Sequence, residues 1–313
     1  MIDAATEGSK VFALRQFRPP PTGTAVALGF FDGFHLGHQQ IVDGAVARAA
    51  QANLAPLVFT FKNHPATVLD SGRAPALLTT FGERIDRLLS SGASVVWCEF
   101  DRPFSQIEPR SFVQRVLLEQ LGVQAVVVGP NYRFGHRAAG DVELLRAMGQ
   151  ESGFAVEVVE PVYRRGRLVS STRIRESIAA GKVELAAELM GRPYAVRSLV
   201  ERGSARGRQL GFPTANLSIP PRKVLPPSGV YAVRVLREDQ SLPGVANLGV
   251  RPTFEEEKLV LEAHLLDFSG DLYGERVEIE FHHRLRDEQR FSGVEALREQ
   301  IARDVQAARR ALA

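Results

Sequence analysis

Two histidines with a spacing of three residues mark the first candidate site. His35 and His38 lie in residues 29–38, which read GFFDGFHLGH between an apolar run and a stretch with helical spacing. A strand that leads through a glycine-bearing turn into a helix places backbone N–H groups where an anion can bind, and Gly33 and Gly37 leave room for a phosphate. The pattern predicts a site that stabilises charge developing on a phosphate chain during transfer. A tight turn with two surface histidines is the alternative.

Three further polar clusters follow apolar runs in the first half of the chain. They read TFKNHP, VGPNYRFGHRAAGD and VSSTRIR. The last contains hydroxyl side chains that can cap a helix and arginines that supply positive charge. Loops after the strands of one parallel sheet meet at the same edge, so we expect these clusters to converge. The residues of interest are His64, Asn131, Arg133, Ser170, Ser171, Thr172 and Arg175.

A second candidate site lies in the stretch GSARGRQLGFPTANL. Arg206, Gly207 and Arg208 form a basic loop suited to phosphate groups. Thr214 and Asn216 are expected side by side, because residues two apart share a face of an extended segment. Hydroxyl and amide oxygens are hard neutral ligands, which suit a Mg²⁺ ion that keeps water and nucleotide oxygens. The alternative is a turn and an edge strand with two solvated arginines.

One carboxylate in the stretch LVLEAHLLDF is a candidate general base. Leu261 and Ala263 share the face that we expect to be the core, whereas Glu262 and His264 share the other face. We expect the Glu262 carboxylate on the cavity side of a small barrel, where it could accept a proton. A solvent-facing glutamate is the alternative.

Short β-type runs alternate with amphipathic stretches from residue 24 to about residue 181. Most of the runs are continuously apolar, as in strands that are covered on both faces. Strands are predicted at residues 24–29, 56–61, 94–100, 123–129 and 154–160, and helices at 39–53, 80–91, 108–121 and 141–152. This order predicts an α/β domain with a doubly wound parallel sheet, whose ligand crevice lies at the carboxyl ends of the strands.

The pattern changes after a last helical stretch, Val183–Met190, which a Gly-Arg-Pro sequence ends. Strands are then predicted at residues 194–200, 229–236, 243–249, 259–268 and 276–283, followed by a helix at 292–312. Consecutive strands without crossover helices predict an antiparallel sheet or small β-barrel, closed by the C-terminal helix. We place the boundary near residue 186, which gives domains of residues 1–185 and 186–313.

Composition excludes several classes of protein. The 313 residues suffice for two domains, and 39 basic against 36 acidic residues give a net charge of +3, too small to indicate a nucleic-acid partner. The single cysteine, Cys98, lies in an apolar stretch and indicates a core residue in a reducing compartment. No secretory pattern opens the chain, and no apolar run approaches the roughly 20 residues that span a bilayer. We expect a cytoplasmic protein without a membrane partner.

Two common nucleotide-binding fingerprints are missing from the sequence. There is no GxxxxGK[ST] stretch, and no GxGxxG follows the first predicted strand. A zinc site built from His35, His38 and His64 is conceivable, but no cysteine or HExxH pattern accompanies them. The sequence therefore favours neither a P-loop enzyme nor a dinucleotide oxidoreductase.

Taken together, the motifs resemble the bacterial bifunctional riboflavin kinase/FAD synthetase family. GFFDGFHLGH, TFKNHP, VGPNYRFGHRAAGD and VSSTRIR resemble its HxGH nucleotidyltransferase module, and GRPY, RGRQLGFPTANL, GVYAV, ANLGVRPTF, EAHLLDFSGDLYG and LRDEQRF resemble its flavokinase barrel. The motifs occur in the same order over roughly residues 24–305. Asn63 stands where the family more often has proline, and Ser198 where it usually has glycine.

The resemblance implies two consecutive reactions: riboflavin and ATP give FMN and ADP, and FMN and ATP give FAD and pyrophosphate. In the first, Glu262 would be the base, Thr214 and Asn216 would hold Mg²⁺, and Arg206, Gly207 and Arg208 would cover the phosphates. The FMN phosphate needs no base, because its second pKa is about 6. In the second reaction the implied catalytic residues are His35, His38 and Arg175, the ATP contacts are Gly29, Phe31, Gly33, Gly37, Ser170, Ser171 and Thr172, and the flavin contacts are His64, Asn131 and Arg133.

Three alternatives stay open at this point. An HxGH adenylyltransferase for another phosphate, such as phosphopantetheine, could be fused to an unrelated barrel, although GFPTAN and EAHLLDF would then be unexplained. A nucleic-acid-binding module is disfavoured by the balanced charge. A flavin-storage protein with inactive sites is disfavoured by the complete set of candidate residues. The sequence carries no prediction of an oligomeric state.

Overall fold

The computed structural model describes residues 10–202, 211–238, 240–252 and 257–313. All of the predicted strands are present, and shorter strands occur beside them. In chain order the strands are β1 Val11–Ala13, β2 Thr24–Leu28, β3 Ala55–Phe61, β4 Ser94–Cys98, β5 Val123–Val128, β6 Ala155–Val158, β7 Tyr163–Arg164, β8 Arg167–Leu168, β9 Tyr194–Glu201, β10 Ala215–Leu217, β11 Gly229–Arg237, β12 Gln240–Pro252, β13 Glu257–Leu265 and β14 Arg276–Arg286.

The helices also follow the predicted order. They are α1 Leu36–Ala52, α2 Ala66–Leu69, α3 Phe81–Leu89, α4 Arg102–Ser105, α5 Pro109–Ser111, α6 Val142–Ser152, α7 Ser171–Ala179, α8 Val183–Met190 and α9 Val294–Leu312. Phe112–Gln120 is a π-helix, and single 3₁₀ turns occupy Leu14–Gln16, Ser71–Arg73 and His136–Ala138. Within the described ranges, no helix is both long and apolar enough to cross a membrane.

These elements form two compact units. The first contains the chain up to Pro75 together with Thr79–Ser170, and the second contains Ala76–Leu78 and Ser171–Ala313. Helices α7 and α8 therefore belong to the second unit, where they pack against each other and α8 packs on β14. This division lies between residues 170 and 171, whereas the domain boundary predicted from the sequence lies near residue 186.

The first unit is built on a parallel sheet with strand order β1-β4-β3-β2-β5-β6. Every residue of β2 is buried. Val26 and Leu28 face a core that includes side chains of the π-helix and α6, whereas Ala27 faces a core that includes α1 and α3. Helices thus cover both faces, which confirms the predicted doubly wound sheet. The edge strand β1 is an addition to the predicted strands.

The second unit is built on a closed antiparallel barrel with strand order β10-β13-β12-β11-β14-β9. Val230 and Val245 face outward, where they pack around Ala308 of α9. The alternate side chains therefore point inward. One inward row runs across neighbouring strands through Tyr231, Ala246, Ala263 and Ala215, all buried. The predicted barrel with a closing C-terminal helix is confirmed.

A buried ion pair fastens α9 to the barrel. Arg286 of β14 donates three hydrogen bonds to Asp304 of α9, from Nε to Oδ1 at 2.9 Å and to Oδ2 at 3.1 Å, and from Nη2 to Oδ2 at 2.7 Å. Gln300 donates a further hydrogen bond to Asp304 Oδ1 at 2.8 Å. The Asp304 side chain is only 7% exposed. Removing one partner of such a pair leaves an uncompensated buried charge.

We therefore expect Asp304→Ala to destabilise the second unit by about 3–5 kcal/mol, because Arg286 would stay buried without its acceptor. Urea unfolding followed by circular dichroism measures this loss. Glu299→Ala is the matched control on the same helix, since the Glu299–Arg303 pair is exposed and 3.9 Å long. The control should change stability by no more than about 0.5 kcal/mol. Equal effects of the two substitutions would contradict the prediction.

Candidate functional site

His35 and His38 lie stacked at the start of α1. His35 is the N-cap residue, and its Nδ1 accepts a hydrogen bond from the His38 backbone N–H at 3.3 Å. The ring centroids are 3.6 Å apart, and the ring planes differ by 16°. The imidazoles are therefore placed beside the first N–H groups of the helix, where its dipole favours an anion. The structure brings the two histidines together, as their spacing indicates.

The glycines of residues 29–38, the histidine loop, make room for rings. A Cβ on Gly29 would lie 2.9 Å from the Phe31 ring, and one on Gly37 would lie 3.3 Å from His35 Cε1. Phe31 is buried, and its ring contacts His38 edge-on with centroids 5.4 Å apart. The spacing predicted that Gly37 leaves room for a phosphate. In the structure, Gly29 accommodates the Phe31 ring, which contacts His38, and Gly37 accommodates the ring of His35 itself.

A buried aspartate and threonine hold the middle of the histidine loop. Asp32 Oδ1 accepts hydrogen bonds from the backbone N–H of Thr79 at 2.9 Å and from its hydroxyl at 3.0 Å. The same hydroxyl accepts a hydrogen bond from the Gly33 N–H at 3.1 Å. Gly33 has a φ of +80°, which favours glycine. Sequence reasoning missed Thr79, because nothing local links it to a loop so far back in the chain.

The loops after β3 and β5 flank the histidine loop, because these strands are the neighbours of β2. His64 follows β3, and its ring meets the Phe30 ring edge-on with centroids 4.8 Å apart. Asn131 and Arg133 follow β5 and are exposed. Arg133 Nη1 lies 3.3 Å from Asp141 Oδ2, so part of its charge is already offset. These loops share one edge of the sheet, since parallel strands end on the same side.

Residues 169–175, which read VSSTRIR and are called the serine-rich cluster below, contain the division between the two units. Ser170 is the last residue of the first unit, and α7 of the second unit begins at Ser171 and also carries Thr172 and Arg175. The predicted helix start is therefore present. Arg175 Nε donates a hydrogen bond to the Ala76 carbonyl at 2.7 Å, within the second unit. This contact gives Arg175 a structural role beside its predicted catalytic one.

A row of polar side chains crosses three strands of the barrel. Glu262 of β13 stands directly opposite Asn216 of β10 on one side and opposite Asn247 of β12 on the other. Directly opposed residues have Cβ atoms about 5 Å apart. Asn247 is paired with the outward-facing Val230, so the whole row lies on the outer face of the barrel. The expectation that Glu262 lies on the cavity side is wrong, because the barrel interior is filled by apolar side chains.

Thr214 lines a pocket of about 300 Å³ at one end of the barrel, whose lining includes none of Glu262, Asn216 and Asn247. Thr214 and Pro213 contribute to its wall at the start of β10, and residues 268–273 contribute on the other side. His264 Nδ1 lies 2.8 Å from the Pro213 carbonyl, a contact that fixes the entry to β10. Thr214 thus lies at the entry to β10, two residues before Asn216.

Asn247 and Glu201 are candidate residues that the sequence reasoning missed. Asn247 and Asn216 flank Glu262, and Glu201 of β9 stands opposite Asn216 on its other side. Strand alternation alone does not predict these pairings, because the register between strands that are distant in sequence decides which residues stand opposite each other. The candidates Arg206, Gly207 and Arg208 lie outside the described residues.

The two departures from the family pattern have structural partners. The Asn63 side chain exchanges two hydrogen bonds of 2.9 Å with the backbone of Phe100 and so ties the end of β3 to the chain after β4. Ser198 is buried, and its hydroxyl donates to the Ser218 carbonyl.

Burial raises the pKa of the Cys98 thiol well above its usual range. Cys98 is therefore protonated at neutral pH, as expected of a core residue.

In the part of the chain that the structure describes, no three His, Cys, Asp or Glu side chains form a group that could hold a metal ion. His35, His38 and His64, the residues of the zinc alternative, do not form such a group. The residues directly opposite Glu262 are Asn216 and Asn247, whose amide oxygens suit magnesium better than zinc.

Comparison with known proteins gives the family of the chain. The FAD synthetase family matches residues 18–173, and the riboflavin kinase family matches residues 190–312. The bifunctional riboflavin kinase/FMN adenylyltransferase of Pseudomonas fluorescens is 41% identical over 307 residues, with 96% of each chain covered. The chain belongs to the bifunctional riboflavin kinase/FMN adenylyltransferase family. This confirms the resemblance seen in the motifs.

Other members of the bifunctional riboflavin kinase/FMN adenylyltransferase family match over similar lengths. The Escherichia coli K12 protein of that name is 38% identical over 93% of each chain, and that of Bacillus subtilis is 35% identical over 91% of each chain. A crystal structure described as a macrolide-efflux protein from Streptococcus pneumoniae has a TM-score of 0.86 at 30% identity, covering 96% of this chain and 98% of that one. Because the second half matches riboflavin kinase, the alternative of an unrelated barrel is not favoured.

Proposed function

We propose that the chain converts riboflavin to FAD in two ATP-dependent transfers. Residues 186–313 transfer the γ-phosphoryl group of ATP to riboflavin and give FMN and ADP. Residues 1–185 transfer the AMP group of a second ATP to FMN and give FAD and pyrophosphate. One observation carries this division: stacked imidazoles lie in the first unit, and a carboxylate between two amides lies in the second.

The first transfer has a neutral hydroxyl as its acceptor and therefore gains from a base. Glu262 accepts the proton of the ribityl hydroxyl while that oxygen attacks the γ-phosphorus and ADP leaves. Asn216 and Asn247, which flank Glu262, orient the reacting groups by hydrogen bonds. Arg206 and Arg208, with Gly207 between them, cover the phosphates and offset their charge.

The donors beside Glu262 suit Mg²⁺. Thr214 and Asn216 supply neutral oxygens, and the carboxylates of Glu201 and Glu262 stand on either side of Asn216. Such a set, completed by water and nucleotide oxygens, matches the preference of magnesium for hard oxygen ligands. The ion, when bound, offsets negative charge on the ATP phosphates.

The second transfer has an acceptor that is already anionic. A phosphate oxygen of FMN attacks the α-phosphorus of ATP, and the bond to the β-phosphate oxygen breaks to release pyrophosphate. No proton has to be removed, because the second pKa of the FMN phosphate is about 6. His35 and His38 stabilise the charge on the transferring phosphates at the start of α1. Arg175 adds positive charge.

Substrate contacts in the first half follow from the loops at the carboxyl edge of the sheet. The ATP phosphates contact the histidine loop and the serine-rich cluster, and the flavin lies against the loops after β3 and β5. The assigned ATP contacts are Gly29, Phe31, Gly33, Gly37, Ser170, Ser171 and Thr172, and the assigned flavin contacts are His64, Asn131 and Arg133. The single cysteine, Cys98, allows no intrachain disulfide, which supports a reducing, cytoplasmic location.

Incubation of the purified protein with riboflavin, ATP and Mg²⁺ tests the proposal. Chromatography over time should show FMN rising first and FAD rising later, as riboflavin is consumed. Addition of EDTA should stop both increases, because the ATP phosphates lose their counterion. Supplying FMN instead of riboflavin should give FAD without a lag. Failure to form either product from riboflavin would contradict the proposed function.

A further inference from the structure

Arg84 is a buried cation beside the histidine loop. It lies in the first turn and a half of α3, and its side chain is 0% exposed. Its Nη2 donates hydrogen bonds to the carbonyls of Phe61 at 2.6 Å and Lys62 at 3.1 Å. Its Cζ lies 4.1 Å from the centroid of the Phe30 ring, a cation–π contact. Arg84 thus joins the carboxyl ends of β3 and β2.

Stability alone does not account for a guanidinium in this place. Its Nε and Nη1 make no hydrogen bond within the described residues, and desolvation of a cation is unfavourable. Burial lowers the pKa of Arg84 to about 10, and the charge of Asp32 opposes this shift. The group therefore remains charged at neutral pH. Its neighbours on α3, Ile85 and Leu88, fill the adjacent core with apolar side chains.

Phe30 connects Arg84 to the proposed adenylyl-transfer site. The Phe30 carbonyl accepts a hydrogen bond from the Thr60 hydroxyl at 3.1 Å, and its ring contacts His64. The next residue, Phe31, contacts His38. The ring of Phe30 is therefore held between Arg84 and His64, directly before the residue that fixes His38.

The segment that leads into α3 holds the loop at a second point. Thr79, five residues before Arg84, binds Asp32 and Gly33 in the middle of the histidine loop. Thr80 and Glu83 form a capping box that fixes the first turn of α3 between these two contacts. The start of α3 is thereby a rigid support for the loop.

We infer that Arg84 is a positioning residue for adenylyl transfer, which holds Phe30 and, through it, the histidine loop in the reactive arrangement. This inference rests on the proposed function of His35 and His38. In-line transfer depends on alignment of the reacting groups, and misplacement by about 1 Å can cost on the order of 10²-fold in rate. The planar guanidinium can stack on a ring and donate to two carbonyls at once, which an ammonium does less well.

The test compares Arg84→Met and Arg84→Lys in the full chain. Arg84→Met should lower kcat for FAD formation from FMN by about tenfold or more, with KM values for FMN and ATP changed less. Arg84→Lys should restore part of kcat, because it keeps the charge. FMN formation from riboflavin should be unchanged in both variants. Arg87→Met, a matched loss of charge on the same helix, should leave both activities unchanged.

Phe30→Leu keeps the test decisive if Arg84→Met does not fold. It removes the ring and should lower kcat for FAD formation to a similar extent. The double variant Phe30→Leu/Arg84→Lys should lose less kcat than the product of the two single losses, because both substitutions break the same Arg84–Phe30 contact. The inference is overturned if kcat is unchanged in folded variants, or if both activities fall together with the melting temperature. If His38→Ala retains FAD formation, the proposed function fails, whatever the Arg84 variants do.

Discussion

Glu262→Ala is expected to abolish FMN formation from riboflavin while FAD formation from supplied FMN persists. The ribityl hydroxyl keeps its proton at neutral pH, so loss of the carboxylate opposite Asn216 removes the proposed proton acceptor. General-base catalysis is worth on the order of 10²–10⁴-fold, which sets the expected loss of kcat. Separate assays with riboflavin and with FMN, followed by chromatography, measure the two rates.

Glu262→Gln is the matched control for shape in this experiment. It keeps the size of the side chain and its place between Asn216 and Asn247 but removes the basic oxygen. If Glu262 acts as a base, Glu262→Gln should be as inactive in FMN formation as Glu262→Ala. Substantial FMN formation by the Gln variant would assign Glu262 a purely structural role and contradict the proposed mechanism.

His38→Ala is expected to give the opposite result. FAD formation from FMN should fall on the order of 10²–10³-fold, the usual effect of removing one group that stabilises transition-state charge. FMN formation from riboflavin should continue, because Glu262 and its neighbours belong to the second unit. The two assays used for Glu262 measure both rates, and FMN should accumulate when riboflavin is supplied.

His283→Ala is the control for loss of a histidine. His283 lies in the second unit, where it pairs with Glu184 near the surface, and it belongs to neither proposed site. It should leave both activities unchanged. Loss of both activities in the His38 variant, with an unchanged circular dichroism spectrum, would refute the division of the two reactions between residues 1–185 and 186–313.

The sequence predicts most of the fold because its signals are local. Continuous apolar runs identify the buried strands β2 and β5, and the change to consecutive strands predicts the barrel. Strands β1, β7 and β8 were missed because each has only two or three residues, too few for a pattern. The order of the strands in either sheet depends on long-range pairing, which no local period contains.

The sequence predicts which residue types form the candidate sites, but it predicts only part of their spatial arrangement. The spacing of His35 and His38 gives their proximity, because residues three apart on a helix start are neighbours. Alternation in β13 separates Glu262 from the core face, but it does not show that this core is the barrel interior. Asn247 and Thr79 reach their sites only through tertiary contacts, so the motifs do not reveal them.

Mixing the two single variants tests the central claim most directly. Glu262→Ala alone should form no FMN from riboflavin, and His38→Ala alone should stop at FMN. Supplied together with riboflavin, ATP and Mg²⁺, they should form FAD after a lag in which FMN accumulates. Failure of the mixture to form FAD, while each variant retains its own single activity, would contradict the assignment of one transfer to residues 1–185 and the other to residues 186–313.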